Sequence, residues 1–274
     1  MIKLSSLLFA LAVFVAQAMF LPVFADDTAA LAQKAQDPLA DITALMTDNT
    51  IGFNQGSGKD TGYNFQLQPV KSFDTDQGFR LIARGIIPIV GAPAQSDFGF
   101  LGELGGPKQS NTIWGISDVM TQFFVAPKVD SAIKWGLGPQ VSLRTRTNSA
   151  LGGPGWGAGV SGVFFGGAGP IAYGAVVGQH WGQDGFSVMT IQPIVFYNFE
   201  DIPGFYIGYN NAITADWKAK GSNQWTVPLG LTAGRTLPIG GGSALDLSLG
   251  AYAVVARPDG APSWQLKFGV SLIQ

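Results

Sequence analysis

The last run of the chain alternates strictly between apolar and polar residues. A period of two places its apolar members on one face of a β-strand: Trp264, Leu266, Phe268, Val270 and Leu272. Similar runs recur about every twenty residues, and most are longer than the roughly 9–11 residues that a strand needs to cross a bilayer. Strands of soluble sheets average only about 5–6 residues. The pattern therefore predicts an all-β, antiparallel transmembrane barrel with an apolar outer face and a polar lumen.

Twelve strands are predicted from the alternation and from the turn residues between the runs. They span 49–56, 61–72, 78–91, 111–125, 132–146, 155–167, 170–182, 186–199, 203–217, 223–237, 242–257 and 262–273. An even number is expected of a bacterial single-chain barrel. Five prolines fall inside the runs and predict bulges or strand ends, because proline cannot donate to a ladder: Pro69, Pro88, Pro139, Pro193 and Pro228.

The segment before the predicted barrel divides into two parts. Residues 1–25 have a basic start at Lys3, an apolar stretch and the small-residue end Val23-Phe24-Ala25, which predicts a secretory signal peptide; an uncleaved anchor is the alternative. Residues 26–48 have helical spacing and are divided by Pro38, with Asp37 as the expected cap of a second short helix. This segment is either a plug in the lumen of the barrel, 49–274, or a periplasmic tether.

The composition limits the kinds of binding and catalytic site that we expect in the chain. Charged residues make up 12% of the chain, about half the roughly 25% of soluble domains, and cysteine is absent. With one histidine and no cysteine, we expect no zinc site and no other cofactor. The formal net charge of −2 gives no reason to expect nucleic acid as a partner. A catalytic histidine needs a nucleophile beside it and a third group that orients it, and the sequence shows neither for His180. We therefore expect that the chain is not an enzyme.

The parity of each run separates a lipid face from a lumen face. Leu137, Leu231 and Leu247 are among the apolar residues expected to face lipid. A shift of the register by one residue would move Arg80 and Arg84 into lipid. Each arginine would then destabilise the barrel by roughly 2–4 kcal/mol near the midplane. The candidate lumen-lining residues are Arg80, Arg84, Lys134, Gln140, Arg144, Gln192, Asn210, Asp216, Asp246 and Lys267. These charges have two possible roles. They pair with one another or with a plug, or they give the lumen a positive character that favours anions.

Several stretches spread over the mature chain resemble a known family. They are 37–42, 123–128, 135–139, 155–159, 173–175, 192–194, 214–217, 225–229, 258–264 and 268–272. The sequence is similar to a bacterial outer-membrane family of transporter-like proteins related to the phenol-degradation MetA-pathway proteins, some members of which carry the misleading name "neuromedin U". The resemblance implies a porin-like barrel in the outer membrane of a Gram-negative cell.

Two functions follow from the resemblance and the fold prediction. The first is a passive or weakly selective channel for small solutes, with anionic or aromatic compounds as the candidates. The alternative is a structural or adhesive barrel with a filled lumen. The expected partners are outer-membrane lipid, such solutes and the barrel-insertion machinery.

Overall fold

The computed structural model describes residues 28–93, 112–129 and 131–274. The predicted signal peptide and most of the long connection 92–110 lie outside these ranges. One α-helix, α1, spans Thr28–Gln36. The strands are β1 Thr43–Gln55, β2 Asp60–Asp74, β3 Phe79–Ala92, β4 Ile113–Ile116, β5 Val119–Pro127, β6 Ile133–Leu143, β7 Gly157–Ala168, β8 Ile171–Trp181, β9 Ser187–Asn198, β10 Phe205–Asn210, β11 Ile213–Asp216, β12 Trp225–Gly240, β13 Ser243–Ala256 and β14 Trp264–Ile273.

The strands form one closed antiparallel barrel. β1 pairs with both β2 and β14, so the first and last strands seal the wall. β4 and β5 both pair with β3 and act as one wall strand, and β10 and β11 together fill another position between β9 and β12. The fourteen segments therefore make a twelve-stranded barrel, and the predicted fold is confirmed.

The prolines lie at breaks in strand pairing rather than near the rims. A proline lacks the N–H that the neighbouring strand would bond. Pro88 lies opposite the interruption between β4 and β5, and Pro193 lies opposite the one between β10 and β11. Pairing also lapses at Pro69 and Pro139, and the register shifts at Pro228. The interruptions are thus a consequence of prolines in the adjacent strands.

The outer surface follows the predicted parity. Leu137 and Leu231 are 60% and 62% exposed, as lipid-facing residues should be. Leu247 differs, because it packs among Leu237, Leu245, Leu249 and Val270 and is only 1% exposed. Exposed aromatic residues border the two ends of the wall, as the interfacial girdles of membrane barrels do: Trp114, Trp156, Trp181, Trp217 and Trp264 at one end, and Phe73, Phe79, Trp135 and Tyr197 at the other.

The N-terminal segment differs from its prediction beyond α1. The expected second helix is absent: residues 37–41 form turns, with the Leu39 N–H donating to Asp37 Oδ1. The first strand begins at Thr43 rather than at 49, because residues 43–48 pair with β2 and β14. Of the helices in the described residues, none combines the length and apolar character needed to cross a bilayer.

The apolar interior lies in the half of the barrel that carries the short turns, which is the periplasmic half by the usual asymmetry of such barrels. Leu39, Ala40 and Ile42 join a buried cluster there with side chains from the wall. The wall members include Val70, Ile82, Phe124, Phe165, Ile194 and Phe196. The cluster fills part of the periplasmic half, and its members Val70, Ile82 and Phe124 also line a cavity there.

Candidate functional site

Two cavities lie one above the other inside the barrel. The upper chamber, toward the extracellular end, has a volume of about 120 Å³. The lower chamber, toward the periplasmic end, has a volume of about 160 Å³. The linings of the two chambers have six residues in common, here called the middle ring: Asp48, Gln68, Arg84, Val176, Gln192 and Lys267. The middle ring is therefore the boundary through which the chambers meet.

The charges of the middle ring are only partly paired. Lys267 Nζ lies 2.9 Å from Asp48 Oδ2 and also donates to the Asn210 carbonyl oxygen at 3.1 Å. Arg84 Nη2 donates to Gln68 Oε1 at 2.6 Å. Within the described ranges, no carboxylate oxygen lies within 4.0 Å of the Arg84 guanidinium. One cation thus remains without a direct ionic partner at the boundary.

An amide network holds the Arg84 side of the wall. Gln122 Oε1 accepts from Arg84 Nη1 at 3.5 Å, and Gln122 Nε2 donates to Gln140 Oε1 at 3.1 Å. Ser161 also donates to Gln140 Oε1, at 2.8 Å. Gln68 Nε2 in turn donates to Gln66 Oε1 at 2.7 Å. Gln68 and Gln122 therefore present their carbonyl oxygens to the guanidinium, and their N–H bonds to Gln66 and Gln140 fix that orientation.

A second polar group lies in the lower chamber. Asp246 Oδ1 accepts from the Thr236 hydroxyl at 2.8 Å, and Asp246 Oδ2 accepts from the Tyr206 hydroxyl at 2.9 Å. The Tyr206 ring lies over Gly234, where a Cβ atom would collide with the ring. Glycine at that position therefore lets the tyrosine reach across the wall to Asp246.

The N-terminal segment, residues 28–42, forms the floor of the lower chamber. Gln36 and Asn198 exchange two amide hydrogen bonds, of 2.8 and 3.1 Å. Lys134 Nζ lies 2.6 Å from Asp37 Oδ2, and Arg80 Nη1 donates to the Leu39 carbonyl oxygen at 3.3 Å. These contacts reach β3, β6 and β9, so the segment is bound to well-separated parts of the wall.

A charge cluster at the periplasmic end of β2 supports the same floor. Asp74 accepts from Arg80 Nε at 2.7 Å and lies 2.7 Å from Lys128 Nζ. The hydrogen bonds from Arg80 and Lys128 lower the pKa of Asp74 to about 2. Arg80 is also 3.6 Å from Asp41, so one guanidinium connects the turn with the N-terminal segment.

On the extracellular side, residues 144–156 fold over the upper chamber; this segment is here called the inner loop. Asp118 is completely buried and accepts from Arg146 Nη2 at 2.6 Å and from the Gly155 N–H at 2.6 Å. Gly153 has φ +132°, and a Cβ there would collide with the Asp118 carboxylate. Leu151 is buried against Val90 of β3. The inner loop is therefore anchored inside the wall.

Ser142 and His180 form a further contact beneath the inner loop. Ser142 Oγ lies 2.8 Å from His180 Nε2 and donates to the Gly155 carbonyl oxygen at 2.8 Å. The Ser142 hydroxyl has one proton, which it donates to the Gly155 carbonyl oxygen, so the His180 imidazole must donate from Nε2 to Ser142 Oγ. The pair ties β6 and β8 to the inner loop.

The structure divides the predicted site residues into three groups. Six of them line the chambers: Arg84, Gln140, Gln192, Asn210, Asp246 and Lys267. Arg80 and Lys134 instead bind the N-terminal segment. Arg144 is exposed beyond the end of β6, and Asp216 ends β11 and accepts from the Lys218 N–H; neither lines a chamber.

Sequence reasoning missed several contributors. Gln68 and Gln122 bond Arg84 and lie on the lumen face of their strands. Applying the alternation to uncharged polar residues as well as to charged ones could have identified them. Asp48 was assigned to the segment before the barrel because the start of β1 was placed too late. The contacts of Asp118 with Arg146 and of Ser142 with His180 join residues far apart in sequence, and no local pattern indicates them.

Comparisons with known proteins support the barrel. No protein-family model matches the sequence, and neither does any curated protein. An outer-membrane channel from Pseudomonas putida F1 has a TM-score of 0.57 and 13% identity, over 85% of this chain and 95% of that one. The KdgM porin, solved with disordered oligogalacturonate, has a TM-score of 0.40 and 10% identity, over 84% and 97%. The chain therefore shares the fold of bacterial outer-membrane channels, and its location is the outer membrane.

One expectation is corrected by the comparisons. Outer membrane phospholipase A from Escherichia coli has a TM-score of 0.42 and 11% identity, over 92% of this chain and 98% of that one. Because similar barrels include an enzyme, the expectation that this chain is not an enzyme is overturned. The likeness is distant and assigns no reaction to the chain.

Proposed function

We propose that the barrel is a passive or weakly selective outer-membrane channel for small solutes. The observation that supports the proposal is the middle ring, which lines both chambers and so joins them along the barrel axis. The alternative, a structural or adhesive barrel with a filled lumen, would not contain two adjoining cavities. The relation to the family of the phenol-degradation MetA-pathway proteins is part of this proposal.

The charge of the middle ring supports a preference for anions. Lys267 is offset by Asp48, whereas Arg84 is bonded only to neutral amide oxygens among the described residues. Charged side chains at a constriction set ion selectivity at short range. The N-terminal segment and the inner loop narrow the two ends, which predicts small conductance and small solutes.

Single-channel recording on the refolded mature protein in planar bilayers tests the proposal. We expect discrete conductance steps with anion preference, and Arg84→Gln should lower that preference because it removes the unpaired charge. Arg257→Gln is the matched control, since Arg257 is exposed and lies outside both chambers and outside the inner loop. Complete absence of conductance in a barrel that shows heat-modifiable gel migration would contradict the channel and favour the filled structural barrel.

A further inference from the structure

Arg84 lies in a setting that calls for an anionic partner. Its side chain lies inside the barrel, and its Nε atom is buried with no hydrogen-bond partner among the described residues. The nearest acidic side chain of the middle ring, Asp48, is held by Lys267 at 2.9 Å. A desolvated guanidinium without a carboxylate is costly, and a planar carboxylate is the group its N–H donors match best. A carboxylate ligand would supply the missing acceptor.

The amides around Arg84 are arranged as supporting groups. Gln68 and Gln122 both turn their carbonyl oxygens to the guanidinium and pass their own N–H groups to Gln66 and Gln140. Their bonds hold the guanidinium in place without neutralising it. A binding group held by such a network is pre-organised, so less conformational entropy is lost when a ligand binds.

One part of the upper chamber is apolar, whereas the rest is lined by polar side chains such as Thr50, Asn64 and Thr190. Side chains from four parts of the wall contribute to this surface, next to the amides: Ile86, Met120, Val176, Phe186 and Val188. Ile86 and Met120 pack together as a buried pair. This apolar patch favours a ligand that carries an apolar body beside its charged group.

The cavity volumes limit the size of that body. An apolar protein cavity of about 150 Å³ holds one benzene molecule. The upper chamber, of about 120 Å³, is smaller than this, but it adjoins the lower chamber of about 160 Å³ at the middle ring, so the two together have room for one ring and its charged group. A solute with two fused rings would have to displace the side chains of the middle ring.

We propose that the upper chamber is a binding site for small monocarboxylates with an apolar, single-ring-sized body, with the carboxylate on Arg84 and the body against Ile86, Met120 and Val188. This inference rests on the proposed function, because the ligand is the solute that pauses in the channel. It specifies both the charge and the shape of that solute.

Isothermal titration calorimetry on the refolded barrel in detergent tests the site with three probes. Sodium benzoate has both features, benzamide lacks the charge, and sodium acetate lacks the apolar body. We expect one benzoate per barrel, with benzamide and acetate each bound roughly tenfold more weakly or worse. Equal binding of acetate and benzoate, or of benzamide and benzoate, would overturn the ligand class.

Two variants test the role of Arg84. Gln68→Glu places a permanent carboxylate on the guanidinium and should abolish benzoate binding while leaving Arg84 in place. Gln224→Glu makes the same chemical change between β11 and β12, outside both chambers, and should bind benzoate like the parent. Undiminished benzoate binding by a folded Gln68→Glu barrel would refute the site.

The binding and conductance measurements separate the two proposals. A barrel that conducts ions but binds no benzoate would refute this site and leave the channel standing. A barrel that binds benzoate through Arg84 but never conducts would leave the site standing and refute the channel.

Discussion

At the scale of single residues, Asp118 decides how the inner loop is held. Its two carboxylate oxygens accept from the Arg146 guanidinium, from the Arg146 N–H and from the Gly155 N–H. The Asp118 carboxylate is completely buried, so removing its charge leaves Arg146 without its ionic partner. We expect Asp118→Asn to lower the free energy of unfolding by about 3 kcal/mol. Denaturant titration followed by tryptophan fluorescence in detergent measures the change.

Asp216→Asn is the matched control for this substitution. The Asp216 carboxylate accepts from the Lys218 N–H at 2.8 Å at the end of β11, an acceptor function that asparagine retains. Its effect on the free energy of unfolding should stay within about 0.5 kcal/mol. Equal effects of the two substitutions would show that Asp118 does not anchor the inner loop.

At the scale of elements, the N-terminal segment is the main candidate obstruction. It forms the floor of the lower chamber and is bound to Lys134, Asn198 and Arg80. Deletion of residues 28–41 should raise single-channel conductance by roughly twofold or more, because the periplasmic end would lose its filling. The deletion must stop before Ile42, whose backbone bonds Ser72 at the start of the wall.

Lys134→Met tests the same idea without a deletion. The substitution removes the ion pair with Asp37 and should lengthen the open events of an otherwise intact channel. Arg144→Met is the control, since Arg144 is an exposed cation away from the segment. Unchanged conductance in the deletion variant would mean that the segment is a periplasmic tether and not a plug.

Most strands could be predicted because lipid and water impose opposite demands on alternate residues. Arg80 and Arg84 fix the register of β3 in this way. The start of β1 could not be predicted, since Leu45 and Met46 fit helical spacing as well as they fit a strand. The interruption at Ser117 depends on Pro88 in the neighbouring strand, and the pairing of Lys267 with Asp48 depends on strand register. Such contacts arise only once the wall is closed.

At the scale of the whole molecule, the barrel wall separates a lipid-facing surface from the proposed solute path past Arg84. β13 places Ser248 on the lower chamber and Ala251 on the exposed outer face. Cysteine at position 248 should therefore react with water-soluble thiol reagents, and cysteine at position 251 with reagents dissolved in the bilayer. The opposite accessibility would show that β13 is one residue out of register.

The same cysteine reports on the charge of the path. A reagent added on the extracellular side must cross the middle ring before it reaches position 248, because Ser248 lines only the lower chamber. The uncompensated Arg84 charge should make an anionic thiosulfonate react roughly tenfold faster than a cationic one of similar size. Adding Arg84→Gln should bring the two rates together, whereas adding Arg257→Gln should not. Equal rates in the parent barrel would mean that Arg84 does not control entry to the lower chamber.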